Sequence, residues 1–250
     1  MSNVILKLGG SVVTDKSGDC AIRRDRIAEC AGEIARRPAV RLVLVHGAGS
    51  CGHPQARRHR LEKGVPPGNP AGIAETHAAV SRLNTAIVDA LRGAGREAVG
   101  IHPLGHCIAV NGRLSDPDWR AAGLLLALGI TPVLHGDVVA DTVRGASIVS
   151  GDQLVASLAR ALAPARVGLA TDVPGVLGGD GKVMGRIRGE QARGVARGSR
   201  NTDVTGGMEG KVDELLALAD AGISSSIFHS SRIGDFLDGR PHGGTTVEGA

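Results

Sequence analysis

Short apolar runs alternate along this chain with longer stretches in which apolar residues recur at helical spacing. The runs are typical of buried strands and predict strands at 4–8, 42–45, 98–101, 130–134, 167–170, 223–228 and 245–247. Apolar positions at i, i+3, i+4 and i+7 predict helices with one buried stripe at 27–34 and 212–219. Helices are also predicted at 72–91, 117–128 and 151–162, a hairpin at 138–148, and a basic surface loop at 57–70.

Alternation of strands with helices predicts an α/β fold with a mainly parallel sheet and helices on both faces. Ligand sites in such folds lie in the loops that follow the carboxyl ends of the strands. Four of the predicted strands run into motifs that begin at Gly9, Gly47, Gly136 and Asp172. We therefore expect these four motifs to share one edge of the sheet and to form one site.

Composition is ordinary for a globular protein, apart from its aromatic residues and its lysines. One Trp, two Phe and no Tyr are present, so we expect a core of aliphatic side chains. Five of the 29 basic residues are lysines, and three of these, Lys7, Lys16 and Lys211, lie in glycine-rich motifs. Because an ammonium group is a compact point charge, this bias suggests sites for small anions.

The net charge of +4 is spread along the chain without a basic block or interleaved aromatic residues, so no nucleic-acid partner is expected. The cysteines at 20, 30, 51 and 107 show no C-x-x-C spacing, and we expect free thiols in a reducing cytosol. The sequence shows no signal peptide and no apolar run of the ~20 residues that span a bilayer. These features predict a soluble, cytoplasmic protein without a membrane partner.

The first motif combines a lysine inside a buried strand with a glycine pair. Burying Lys7 in a core is costly, so we expect its ammonium group to face an anion beyond the end of the strand. Gly9 and Gly10 allow the backbone to come close to a bulky group, and Lys16 lies within reach of the same place. A buried strand followed by a turn and two solvated lysines is the alternative.

The second motif, G-A-G-S-C-G at 47–52, matches the dinucleotide-binding fingerprint, but it follows the second strand and lacks the acidic residue expected about 20 positions later. An NAD-dependent oxidoreductase is therefore disfavoured. A glycine loop that opens a helix still forms an anion cradle. His53 can donate a hydrogen bond to a phosphate oxygen there, or it can simply be a structural residue at the start of a helix, whereas His46 is expected to pack at the strand end.

A third glycine loop precedes Lys211, which lies one helical turn beyond Gly207. Together with the first motif it suggests a two-sided clamp on a polyphosphate, although the P-loop pattern G-x-x-x-x-G-K-[ST] is absent. Asp152 and Asp172 are predicted near the lysines, where a carboxylate can hold two ammonium groups in place. Each also has a structural interpretation, a helix cap for Asp152 and a turn for Asp172. The sequence shows no Ser-His-Asp set and no zinc-binding pattern.

Taken in order, these motifs resemble those of the amino acid kinase superfamily. They are K-L-G-G-S, V-H-G-A-G-S-C-G-H-P, H-G-D, I-V-S-G-D-Q-L, A-T-D-V-P-G-V and N-T-D-V-T-G-G-M-x-G-K. Within the superfamily the chain is most similar to archaeal-type isopentenyl phosphate kinases. The resemblance implies a three-layer αβα sandwich around an open, mainly parallel sheet. It also implies a homodimer that transfers the γ-phosphoryl group of ATP to isopentenyl phosphate in isoprenoid biosynthesis.

The resemblance also assigns roles to individual positions. It implies that ATP contacts Lys7, Leu8, Gly9, Gly10, Ser11, Gly49, Asp172, Gly207 and Lys211. The acceptor phosphate would lie against Ala48, Gly49, His53 and Gly151, and the catalytic group would be Lys7, Lys16, His53, Asp152 and Lys211. Mg²⁺ would enter on the nucleotide, with no metal-ligating side chains assigned. Residues 1–150 would bind the acceptor and residues 151–250 would bind ATP.

Two other functions share most of these motifs. One is a sister kinase for another small phosphate or phosphonate, such as a fosfomycin-type kinase, and the other is a non-catalytic nucleotide or anion binder. The chain also departs from many relatives by having Cys51 where they have Phe. We therefore expect a wider or differently lined tail pocket, with longer prenyl phosphates as possible acceptors.

Overall fold

A computed structural model of the chain describes residues 3–15, 17–65, 70–188 and 207–249, with only the helical backbone described at 207–212. The strands are β1 Asn3–Leu8, β2 Thr14–Asp15, β3 Ala21–Ile22, β4 Arg41–His46, β5 Ala98–Gly100, β6 Ile108–Val110, β7 Arg113–Ser115, β8 Thr131–His135, β9 Asp137–Asp141, β10 Gly145–Val149, β11 Arg166–Thr171, β12 Arg186–Arg188, β13 Ser225–His229 and β14 Thr245–Glu248. The helices are α1 Gly10–Val13, α2 Arg24–Ala35, α3 His53–Arg58, α4 Ala71–Gly93, α5 Arg120–Ala127, α6 Gly151–Leu162, α7 Gly207–Asp220 and α8 Ile233–Leu237.

The main sheet has eight strands in the order β12-β14-β13-β11-β1-β4-β8-β5. The six strands from β13 to β5 are mutually parallel, and β14 pairs antiparallel with β13. The α/β fold with an open, mainly parallel sheet is therefore confirmed. Because β1 lies between β4 and β11, the segments that follow these three strands are neighbours at the carboxyl edge.

Side-chain alternation along the strands divides the core into two layers. In β1, Ile5 belongs to one buried cluster, whereas Val4 and Leu6 belong to the other. The first cluster is completed by residues of α5, α6 and α7, and the second by residues of α2, α4 and α8. Helices thus cover both faces, as the strand-helix alternation predicts. Every described α-helix of eight or more residues contributes to one of these two clusters.

Several smaller elements escape the sequence prediction. The predicted hairpin is present as β9 and β10, but it belongs to a four-stranded sheet of order β10-β9-β6-β7 whose other two strands, β6 and β7, were not predicted. The predicted loop at 57–70 is wrong in part. The segment contains the end of α3 and a 3₁₀ turn at Leu61–Lys63, where the Leu61 side chain is buried against Val138 and Ala146. An apolar anchor inside a basic sequence is hard to recognise from periodicity alone.

At the amino edge of the main sheet, a buried arginine joins three chain segments. The Arg96 guanidinium donates hydrogen bonds to Oγ1 of Thr131 and to the carbonyl oxygens of Arg37, Pro38 and Val40. Charge-assisted bonds of this kind are stronger than neutral ones. This arginine therefore holds the starts of β4, β5 and β8 together at the edge opposite the carboxyl ends. Within the described ranges, no helix combines the length and the apolar character needed to cross a bilayer.

Candidate active site

Four neighbouring strands bring the predicted motifs to one edge of the sheet. β11, β1, β4 and β8 are consecutive and parallel, and they end at Thr171, Leu8, His46 and His135. The segments that begin at Gly9, Gly47, Gly136 and Asp172 follow directly. Gly9, Gly47 and Gly136 are also linked through their amides, which donate to the carbonyl oxygens of Ala170, Leu8 and His46 respectively. The expected shared edge is confirmed.

Lys7 and Asp152 form a buried ion pair at this edge. The Lys7 ammonium nitrogen lies 2.6 Å from Oδ1 of Asp152, and the side chains are 5% and 10% exposed. Asp152 is the second residue of α6, whose first turn is capped by the Ser150 hydroxyl accepting a hydrogen bond from the Gln153 amide. The sequence-based interpretation of Asp152 as a cap is therefore wrong, because the cap is Ser150.

Gly151 provides the space for this ion pair. A Cβ atom added at Gly151 would lie 3.0 Å from Cε of Lys7 and 3.3 Å from the carbonyl oxygen of His46. Helix α6 therefore reaches the strand end with its backbone close to the lysine stem. A side chain larger than glycine would displace either Lys7 or the end of β4.

The first two glycine loops contact each other through their backbones. A Cβ atom added at Gly10 would lie 2.8 Å from Cα of Gly49, and one added at Gly47 would lie 2.8 Å from the Gly10 amide nitrogen. Gly49 also has φ +51°, in the left-handed region that favours glycine. The sequence predicts close approach of a bulky group at Gly10. In the structure, the group that approaches is the second glycine loop.

A short hairpin formed by β2 and β3 lies against the second glycine loop. The Thr14 hydroxyl accepts a hydrogen bond from the Ser50 amide, and the Cys20 amide donates to the Ser50 carbonyl oxygen. Nε2 of Gln55 in α3 donates to Oδ1 of Asp19. The hairpin and the loop therefore behave as one packed unit. Lys16 lies outside the described residues, so its predicted role stays a prediction.

A disulfide between Cys20 and Cys51 joins the same two segments. The expectation of four free thiols is therefore wrong for this pair, whereas Cys30 and Cys107 are free and buried. Burial raises the pKa of the Cys30 thiol to about 11 and that of Cys107 to about 12. No local spacing signals the disulfide, because its cysteines are 31 residues apart and meet only through the packing of the hairpin.

The disulfide also changes the interpretation of Cys51. Its side chain is fully buried and belongs to the core layer that includes Val12 and Leu83. It therefore does not line an open pocket in the described structure. The predicted widening of a tail pocket through Cys51 loses its structural basis.

The other predicted site residues surround this centre. Leu8 is buried at the end of β1, and Ser11 follows Gly10 in the half-buried first turn of α1. Ala48 is half-buried in the second glycine loop, His53 begins α3, and Asp172 is exposed just beyond β11. Gly207 is the first residue of α7. The side chain of Lys211 lies outside the described residues, so its predicted position beside Lys7 stays a prediction.

A histidine cluster next to the site was not predicted from the sequence. His46 and His135 stack with ring centroids 5.5 Å apart, and Nδ1 of His102 lies 3.0 Å from Nε2 of His135. His46 also bonds Oδ1 of Asn84 in α4 through Nε2. Burial lowers the pKa of His46 to about 4 and that of His135 to about 2, so both rings are neutral at pH 7. The available signal was a histidine at three successive strand ends, in V-H-G, I-H-P and L-H-G.

The aspartate of the H-G-D motif connects this cluster to α4. Asp137 is buried and accepts hydrogen bonds from Nδ1 of His77 at 2.9 Å and from the amides of Leu104 and Val138. Burial raises its pKa to about 6, while His77 opposes that rise. Because each of these donors comes from a different segment, Asp137 holds α4 and the segment after β5 against the start of β9.

The site is rich in donors for anions. Within the described residues no group of three or more His, Cys, Asp or Glu side chains is placed to hold a metal ion. The candidate partners are the loop backbone at Gly10 and Gly49, the Lys7 ammonium group, and His53 at the start of α3. Such groups suit phosphate oxygens, which accept hydrogen bonds from backbone amides at helix starts. The chemistry that the arrangement supports is binding and transfer of phosphoryl groups.

Comparison with known proteins agrees with this chemistry. The amino acid kinase family model matches residues 3–229. The chain is 42% identical to the isopentenyl phosphate kinase of Haloferax volcanii, with all of both chains covered, and 38% identical to that of Methanothermobacter thermautotrophicus, covering 98% of this chain and 99% of the relative. A solved isopentenyl phosphate kinase structure superposes with a TM-score of 0.86 at 35% identity, covering 97% of this chain and 99% of the other. The chain therefore belongs to the amino acid kinase family, in the group of the isopentenyl phosphate kinases.

Proposed function

We propose that this protein is an ATP-dependent kinase that converts isopentenyl phosphate into isopentenyl diphosphate. The observation that carries the proposal is the backbone contact between two glycine loops beside the buried Lys7–Asp152 pair. Two anion cradles in contact suit a reaction in which one phosphate attacks another. The full-length similarity to isopentenyl phosphate kinases supports the choice of acceptor.

The proposed donor site uses the first glycine loop and the carboxyl ends of β1 and β11. Lys7 and the backbone at Leu8, Gly9, Gly10 and Ser11 would contact the ATP phosphates. The proposal adds Asp172, Gly207 and Lys211 on the nucleotide side, and Gly49 where the two loops meet. Asp152 would orient Lys7 and, by the resemblance, Lys211. Lys16 would steady the transferring phosphoryl group.

The proposed acceptor site uses the second glycine loop. The acceptor phosphate would bind at Ala48, Gly49, Gly151 and the His53 side chain, which lies at the start of α3. By the resemblance, residues 1–150 would form this acceptor half and residues 151–250 the ATP half. A homodimer remains a prediction from the resemblance, and a cytoplasmic location remains a prediction from the sequence.

The proposed mechanism needs positioning and charge neutralisation rather than a general base. A phosphate monoester has a second pKa of about 6, so its oxygen is already largely ionised at pH 7. Phosphoryl transfer proceeds through a transition state whose charge is spread over the equatorial oxygens, and fixed donors stabilise that charge. Lys7, the glycine amides and His53 are the groups of this chain that can do so.

Mg²⁺ is expected to enter with the nucleotide. Among the described residues, three carboxylates lie at this edge, and two of them are already engaged, Asp137 with His77 and Asp152 with Lys7, whereas Asp172 is exposed. Mg²⁺ commonly binds through one or two carboxylates together with substrate phosphates, so the nucleotide phosphates would hold most of its coordination sphere. When bound, the ion would neutralise part of the charge on the phosphates. Lys7, together with Lys16 and Lys211 in the proposed site, would supply the remaining positive charge.

A coupled assay for ADP release tests the proposal. The purified full-length chain would be supplied with Mg-ATP and, in separate reactions, isopentenyl phosphate, dimethylallyl phosphate, geranyl phosphate or fosfomycin. Turnover that is fastest on the five-carbon phosphates is the expected result. Activity on fosfomycin alone would instead establish a sister kinase. ATP binding by calorimetry without turnover on any acceptor would indicate a non-catalytic binder.

A further inference from the structure

The hydroxyl group of Thr14 bridges the two glycine loops. Oγ1 donates a hydrogen bond to the carbonyl oxygen of Gly10 at 2.8 Å and accepts one from the amide of Ser50 at 3.0 Å. Gly10 belongs to the loop after β1, and Ser50 belongs to the loop after β4. One side-chain atom is thus bonded to the backbones of both loops.

The position of this hydroxyl is tightly constrained. Thr14 is 1% exposed, and its own amide also donates to the Gly10 carbonyl oxygen, so the Gly10 carbonyl receives two hydrogen bonds from one residue. On the other side, a Cβ atom added at Gly49 would lie 2.0 Å from Oγ1. The hydroxyl therefore occupies the place that a side chain at Gly49 would need, and it both donates and accepts a hydrogen bond.

Backbone contact alone fixes how closely the two loops approach but not how they are aligned. Gly10 and Gly49 meet without side chains, so no side chain of either residue orients the contact. The two hydrogen bonds at the Thr14 oxygen are directional, and they restrict how far one loop can shift along the other. Thr14 lies on the β2–β3 hairpin, which is itself packed against the second loop through the Cys20 amide.

We propose that Thr14 is a positioning residue that sets the alignment of the donor-phosphate loop relative to the acceptor-phosphate loop. The proposal rests on the proposed function, in which the first loop holds ATP and the second holds the acceptor. In-line transfer requires the attacking oxygen and the γ-phosphorus to be aligned, and a misplacement of about 1 Å can cost ~100-fold in rate. Thr14 acts on this alignment through the loops and touches neither phosphate in the proposal.

The role requires a hydroxyl and not the remainder of the threonine side chain. Serine keeps an oxygen that can donate to Gly10 and accept from Ser50. Valine keeps the shape but can form neither bond, and it leaves a buried amide without its partner. Alanine also removes the hydroxyl and introduces no methyl group against Gly49. Thr14→Ser, Thr14→Val and Thr14→Ala therefore separate the hydrogen bonds from packing.

The test is steady-state kinetics on wild type and the three variants with Mg-ATP and isopentenyl phosphate, together with thermal unfolding of each. We expect Thr14→Val and Thr14→Ala to lower kcat about 10- to 100-fold, while the KM of each substrate changes less than about 3-fold, because each loop still binds its own phosphate. Thr14→Ser should keep kcat within about 3-fold of wild type. If Thr14→Val does not fold, Thr14→Ala carries the comparison.

Three outcomes would overturn the proposal. The first is a kcat equal to that of wild type in the folded Thr14→Val or Thr14→Ala variant. The second is a loss of kcat in Thr14→Ser as large as in those two variants. The third is a rise in KM in Thr14→Val or Thr14→Ala with kcat unchanged. The last would mean that the hydroxyl serves binding by one loop only. Failure of the proposed function is distinct, because wild type itself would then show no turnover on isopentenyl phosphate.

Discussion

The ammonium group of Lys7 and the carboxylate of Asp152 meet at 2.6 Å inside the sheet edge, with both side chains nearly excluded from solvent. The strand places the cation and the start of α6 places the anion, so the pair links the centre of the sheet to the first turn of a helix. Because a buried charge without a partner is costly, each member determines the position of the other.

Replacing Asp152 by Asn should therefore damage both stability and activity. Loss of one partner from a buried ion pair costs about 3–5 kcal/mol, and in the proposed mechanism the misdirected Lys7 ammonium group would lower kcat about 100-fold. Denaturant unfolding and the ADP-release assay measure the two effects. Asp25→Asn is the matched control, since Asp25 is also the second residue of a 12-residue helix but is exposed. Equal behaviour of the two variants would contradict the role of the pair.

Gly49→Ala should be strongly destabilising. The left-handed conformation costs a non-glycine residue about 1–2 kcal/mol, and the overlap of the new methyl group with Thr14 adds about 1–3 kcal/mol. Gly32→Ala is the control, because a Cβ atom there meets nothing within 4 Å. Gly32 lies within α2, so alanine should stabilise it by about 0.5–1 kcal/mol. Chemical denaturation of both variants measures the contrast, and a neutral Gly49→Ala would show that the loop can rearrange.

Reduction of the Cys20–Cys51 disulfide should lower the free energy of unfolding. Its cysteines are 31 residues apart, and releasing a loop of this size costs about 3–4 kcal/mol in the chain-entropy account. Thermal unfolding with and without dithiothreitol measures the loss. Cys20→Ser should unfold at the lower temperature in both conditions. Thiol titration of the folded wild type should show slow reaction, since Cys30 and Cys107 are buried with raised pKa values. Identical unfolding of wild type with and without reductant would be inconsistent with the disulfide.

Acid should destabilise the protein through His46. Its folded-state pKa is lowered to about 4 from the usual 6.5, so its contribution is complete above pH 6.5 and is lost as the pH falls toward 4. In that window the free energy of unfolding should fall by about 1.4 kcal/mol per pH unit from this group. Asp137 has the opposite effect. Because its folded-state pKa is raised to about 6, its contribution to the free energy of unfolding increases as the pH falls below 6.

The His46→Gln variant isolates this contribution. Glutamine keeps a polar group near Asn84 but does not titrate, and Asp137 contributes to both proteins. The unfolding free energy of wild type minus that of the variant should therefore decrease steadily as the pH falls from 6.5 to 5. Parallel stability curves across that range would rule out His46 as the titrating group.

The sequence predicts the main sheet well because its information is local. An apolar run that ends in glycines indicates both a buried strand and the loop that follows it. Because the strands are parallel, Gly9, Gly47 and Asp172 are then expected at one edge of the sheet. The contacts made by Thr14 and the disulfide are different in kind. Ser50 and Cys51 lie far along the chain from Thr14 and Cys20, and no periodicity relates them. β6 and β7 have three residues each and carry little pattern to distinguish them from loops; β5 is as short, but the apolar run 98–101 extends beyond it and made it predictable.

Arg96 acts at the amino edge of the sheet, opposite the glycine motifs. Its guanidinium group bonds the segments at the starts of β4, β5 and β8 to one another, so it orders that edge without occupying the carboxyl edge. A substitution at Arg96 is therefore expected to loosen the starts of these three strands first, and not the glycine loops at the opposite edge.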